Sequence, residues 1–135
     1  MSRVLVERFK RGDDILEGLN ALVRQNHISA GSFTGLGVVD NANVGYFVGE
    51  GQYSEVSPKG PLEIVSFIGN VSMKEGLPFV HAHISLADKQ GRVYGGHLMP
   101  GCTVGPTFEV VLHTYEGIEL ERKLDPATKL YLLDA

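Results

Sequence analysis

The chain has 135 residues, enough for one domain with a real core and no need of disulfide or metal staples. Its formal net charge is −4, from 12 Lys and Arg against 16 Asp and Glu, which argues against unaided binding to nucleic acid. Cys102 is the single cysteine, which excludes an intrachain disulfide and points to a reducing compartment.

The basic residues cluster at Arg3, Arg8, Lys10 and Arg11, with Arg122-Lys123 the other basic pair. No apolar stretch follows the basic N-terminus, and no apolar run approaches the ~18 residues of a spanning helix. A cytoplasmic protein without a membrane partner is expected. Glycine is abundant, at 17 of 135 residues against a usual ~7%, which predicts many turns and close backbone approaches.

Alternation over residues 3–9 predicts a first strand. Gly12-Asp13-Asp14 opens a helical pattern in which Asp13 is placed to cap the first turn. Ile15, Leu16, Leu19, Leu22 and Val23 recur on one face, and Asn26-His27 ends the helix. Strands follow over 29–36, 43–48 and 52–56, then a proline- and glycine-marked turn at 57–61. Residues 62–73 form a long strand with Gly69 as a bulge. After a turn at 74–78, strands are predicted over 79–87, 93–99, 103–116, 119–123 and 129–133. The fold class is α+β: a single domain over 1–135, mostly antiparallel sheet with one main helix.

Three of the five histidines, His81, His83 and His97, fall in the stretch HAHISLADKQGRVYGGHL. His81 and His83 are two apart on a strand, so their imidazoles share a face. A three-residue hairpin loop prefers glycine at its left-handed end, which selects Lys89-Gln90-Gly91 as the loop. Asp88 then pairs with Arg92, and His83 stands opposite His97 on the same face. Neutral imidazoles suit zinc and other first-row divalent ions, and three of them with an open position match a catalytic rather than a structural zinc set. The competing reading is a group of half-buried sheet histidines bonded to backbone or to one another. The third histidine in facing register favours metal.

Gly95 and Gly96 would admit a close backbone approach beside the cluster. His27 reads as a polar residue at the helix end, His113 as a structural strand residue and Cys102 as a core filler. Glu109, within the apolar run TFEVVLHTY, is the candidate catalytic carboxylate. It reads as an acceptor behind a ligand imidazole, a general base, or the exposed half of an alternating strand.

The runs GPLEIVSFIGNVS, HAHISLADKQGRVYGGHL and GCTVGPTFEVVL together resemble the plants-and-prokaryotes-conserved (PPC) domain. This domain accompanies AT-hooks in plant nuclear proteins and stands alone in bacteria and archaea. The resemblance extends from RVLVERFKRGDDILEGL to EVVLHTYEG. It implies an α+β fold, a homotrimer, and a metal-binding unit at His81, His83 and His97. It also implies a DNA-binding label inherited from the AT-hook proteins, although this chain has no Arg-Gly-Arg-Pro-type element. In the plant proteins the domain resembles an assembly and partner-binding module.

The leading expectation is therefore a homotrimeric PPC-domain protein that binds a divalent metal, zinc first, in a binding or regulatory role. A protein partner or small-molecule ligand is left open. The alternatives are a DNA-associated protein and a small metal-dependent hydrolase or lyase assisted by Glu109. The apolar run Leu130-Tyr131-Leu132-Leu133 and the strands over 64–68 and 108–112 offer more nonpolar surface than one helix covers, in accord with assembly. The competing outcome is a tail that folds back onto its own sheet.

Overall fold

A computed structural model describes residues 3–134. Helix α1, Ile15–Gln25, begins at Asp14, whose carboxylate accepts from the Glu17 N–H (3.0 Å) and the Gly101 N–H (2.7 Å). The cap is thus Asp14 rather than the expected Asp13, whose side chain accepts from the Lys10 N–H (2.9 Å) and closes the turn before the helix. His27, just past the helix end, takes the left-handed conformation (φ 54). Ile15, Leu19, Leu22 and Val23 are buried, as their spacing predicts.

The strands are β1 Val4–Phe9, β2 Gly31–Asn41, β3 Val44–Gly49, β4 Gln52–Val56, β5 Leu62–Lys74, β6 Leu77–Ala87, β7 Val93–Leu98, β8 Thr103–Thr114, β9 Glu121–Leu124 and β10 Tyr131–Leu133. They form one sheet in the order β1-β8-β2-β5-β6-β7-β3-β4, with the β9–β10 hairpin joined to β5. Every pairing along that order is antiparallel, and β9 runs parallel to the end of β5.

Two expected details change. Gly69 is no bulge, for the pairing runs through it on both sides. The irregularity falls nearer Val65, where β5 slips against both β2 and β6. The glycine serves packing instead: a methyl group on it would come within 2.4 Å of both the His81 carbonyl oxygen and a Phe33 ring carbon. The turn expected at 74–78 contracts to Glu75 and Gly76, both left-handed (φ 50 and 80), so β6 begins at Leu77. Pro78 sits where β5 pairs with β6 and β7 has not yet joined.

Helix α1 packs on one sheet face against β6 and β8. Phe33, Phe67, Phe108, Val71, Ala82, Ile84 and Leu112 fill that side together with Leu19 and Val23. Rings of Phe67 and Phe108 meet edge-on with centroids 5.0 Å apart. Cys102 is buried, its thiol donating to the Asn43 carbonyl oxygen (3.3 Å), which fits the core-filler reading. Burial pushes that thiol up from its ordinary pKa.

The other face carries two rows of directly paired residues. One runs Val6, Val111, Thr34, Ile68, His83, His97, and the next Val4, His113, Ser32, Asn70, His81. This face is open over much of its width: Val6 is 70% and Ile68 58% exposed.

Gly69→Ala is expected to cost about 1–3 kcal/mol, because the added methyl must displace Phe33 or part the β5–β6 pair. A urea midpoint equal to that of the parent protein would refute this account of Gly69.

Candidate metal centre

The β6–β7 hairpin has the register its loop chemistry demands. Gly91 is left-handed (φ 80), the Asp88 N–H donates to the Arg92 carbonyl oxygen (3.0 Å), and Ala87, Leu86, Ser85, Ile84 and His83 pair with Val93, Tyr94, Gly95, Gly96 and His97. The Asp88 carboxylate locks the loop by accepting from the N–H groups of Gln90 (2.9 Å) and Arg92 (3.0 Å) and from the Arg92 guanidinium (2.8 Å). Those bonds hold its pKa below the ordinary carboxylate value.

Three imidazoles converge as a result. Ring centroids lie 5.2 Å apart for His81 and His83, 5.1 Å for His81 and His97, and 5.8 Å for His83 and His97. One ring nitrogen from each lies within 4.8 Å of the others. Gly96 lets β3 close over the hairpin, since a methyl group there would meet the Gly45 carbonyl oxygen at 2.6 Å. The ring of Tyr53 on β4 stacks on His97 at 4.6 Å.

Arg122 on β9 completes the surroundings. Its Nε donates to the Ser72 hydroxyl (2.8 Å), Nη1 to the Tyr131 carbonyl oxygen (3.2 Å) and Nη2 to Asn70 Oδ1 (2.9 Å). Nη2 also approaches His81 Nδ1 at 3.5 Å. Sequence patterning registers Arg122 only as half of a basic pair. Its burial comes from β9 docking on β5, which no local signal announces.

The donor set fits a divalent metal. Burial first, then the charges of Arg122, His97 and His83, lowers the pKa of His81 to about 4. Burial lowers His97 as well, with His83 and Arg122 adding to it. Both rings are therefore neutral at physiological pH, the form that ligates metal. His97 Nδ1 is buried with no hydrogen-bond partner among the described residues, a costly condition that ligation would relieve.

The Plants and Prokaryotes Conserved (PCC) domain model matches residues 1–116. The chain belongs to this family. A plant- and prokaryote-conserved protein of Pyrococcus horikoshii superposes with a TM-score of 0.91 at 35% identity, covering 98% of this chain and 92% of its own. A metal-containing protein of Archaeoglobus fulgidus gives 0.87 at 33% identity, covering 97% and 92%. Two further structural neighbours carry a provisional DNA-binding designation. Among curated proteins, the bifunctional protein GlmU of a Synechococcus strain is 33% identical over 127 residues, 93% of this chain. The chain spans only 19% of that relative and 18% of a second one of the same name.

Glu109 does not join the cluster. It is exposed on β8, paired with Arg8 and Leu36, and β2 and β5 separate its strand from β6. Its side chain accepts from the Thr107 hydroxyl (3.3 Å), so of its three readings the structure matches the exposed half of an alternating strand. His113 is likewise exposed on β8, in the same paired row as His81 but separated from it by Ser32 and Asn70.

The low His81 pKa sets a pH dependence for the metal-free protein. The unfolded chain takes up a proton at this histidine near 6.5, whereas the folded chain resists until about 4. Between those values the unfolded state holds more protons, so stability falls as pH falls through the window and is level above it. Urea midpoints should drop from about pH 7.5 to about pH 5, and the drop should shrink in His81→Gln. An equal drop in that variant would contradict this assignment.

Proposed function

We propose that the chain is a metal-binding member of its family that holds one divalent first-row ion, zinc foremost, on His81, His83 and His97. The observation that carries this reading is the convergence of three ring nitrogens within 4.8 Å on two paired strands, one of the rings holding a buried nitrogen without a partner among the described residues. The metal-containing relative from Archaeoglobus fulgidus supports it. When bound, such an ion supplies Lewis acidity and an open coordination position. The chain supplies neutral donors held by sheet register, with Tyr53 against one ring and Arg122 beside another.

Elemental analysis of purified protein is expected to give about one equivalent of metal per chain, falling several-fold in His83→Ala. Full retention of metal after all three histidines are replaced would overturn the reading.

Assembly as a homotrimer belongs to the same proposal. Val6, Leu36, Val65 and Ile68 are each more than half exposed, an apolar surface of the kind that monomers rarely leave open. Leu132 and Leu133 also remain 42% and 37% exposed, although β10 pairs with β9. Sedimentation equilibrium at micromolar concentration should give three times the 14.7 kDa chain mass. A single-chain mass would rule the trimer out.

The role we infer is binding or regulatory. The hydrolase or lyase alternative loses its carboxylate, because Glu109 lies away from the cluster. A DNA-associated role is favoured by the designation of some neighbours and opposed by the net charge of −4. A duplex gel shift that weakens steeply with salt would restore it.

A further inference from the structure

A cavity of about 240 Å³ lies between the histidine cluster and the β9–β10 hairpin. His81 and His97 line it together with Tyr53, Lys74, Phe79, Arg122 and Tyr131. Its charge is one-sided. Arg122 is 7% exposed, yet every one of its acceptors is neutral: a hydroxyl, a peptide carbonyl and an amide oxygen. A guanidinium has five N–H donors, and the second N–H of Nη1 has no acceptor among the described residues. Lys74 stands over the rings of Phe79 (4.9 Å) and Tyr131 (4.3 Å) and forms no ion pair among the described residues. The nearby carboxylates are engaged elsewhere: Glu50 pairs with Lys129 (3.3 Å), and Glu75 accepts from the Tyr131 hydroxyl (2.6 Å).

A buried positive charge without a counter-charge is costly, and proteins place one where an anion completes the site. A divalent ion on three neutral imidazoles would add two positive charges and no negative one.

We infer that this cavity binds a small organic carboxylate, its oxygens held by the free Arg122 N–H and the Lys74 ammonium and its apolar body lying against Tyr53 and Phe79. The free guanidinium N–H and the Lys74 ammonium give two cationic donor groups, one for each oxygen of a carboxylate. The aromatic lining calls for an organic body rather than a bare inorganic ion. Arg122 lies beyond residues 1–116, so the segment past the family match contributes one of the two cationic groups, and Lys74 within the match the other. The inference deepens the metal reading and rests on it for part of the charge, but the two are separable.

The test is a calorimetric titration of the protein, as purified and after chelator treatment, with benzoate, phenyl phosphate and benzyl alcohol, with metal content measured in parallel. Benzoate is expected to bind in the millimolar range, more tightly than either of the others, and to weaken at least about tenfold in Arg122→Gln. If that variant does not fold, Lys74→Met decides, with an expected loss of about threefold. No benzoate binding by protein that retains metal overturns this inference and leaves the metal reading intact. Arg122-dependent benzoate binding by protein that never holds metal upholds this inference and removes the metal reading. Equal or tighter binding of phenyl phosphate or benzyl alcohol overturns the carboxylate assignment.

Discussion

The backbone ladders of β5 hold the functional face together. This strand pairs with β2 on one side and β6 on the other, and beyond the end of β2 its last residues receive β9. Its outward side chains Ile68, Asn70, Ser72 and Lys74 therefore stand beside β6 histidines at one end and beneath the Arg122 guanidinium at the other. Gly69, between two of them, lets Phe33 seat on the core side without parting the strands. Disturbing β5 shifts the histidine cluster and the cationic cavity together, because a slip of one residue would turn each side chain to the opposite face.

The electrostatics follow from that placement. Burial keeps His81 and His97 uncharged, so the three rings crowd together without mutual repulsion. Burial also lowers Arg122 from its ordinary value, but a group so basic keeps its proton at physiological pH. The result is a patch of neutral nitrogen donors beside a fixed positive charge. Asn70, Ser72 and the Tyr131 carbonyl supply dipoles where a carboxylate would have cancelled it. Such a site favours negatively charged ligands over neutral ones of the same shape.

Much of this was legible in the sequence where the determinants are local. The loop Lys89-Gln90-Gly91 has a glycine where the backbone turns left-handed, and that residue fixes which histidine faces which. The helix face was legible for the same reason, since its periodicity reports burial directly. Local reasoning failed where a distant partner decides. Local patterning selects Asp13 as the cap, whereas the Gly101 N–H bond is among the contacts that tie Asp14 into that place. Gly69 carries the composition of a bulge, yet its role depends on a ring from β2. Alternation along TFEVVLHTY carries no information on strand order, and it is β2 and β5 that separate Glu109 from the cluster.

The β3–β4 turn reaches the C-terminal segment through the Gly51 N–H, which donates to the Thr128 carbonyl oxygen (2.8 Å), and through Glu50 and Lys129. This latch makes the assembly of the site a matter of chain order. The histidine hairpin closes over a three-residue loop, a cheap and fast event. The Arg122 contact to Asn70 spans 52 residues, and the latch joins segments still farther apart, so both close far larger loops than the hairpin does, at an entropic cost that grows slowly with length. The nitrogen donors are thus placed by a local closure and their cationic roof by distant ones.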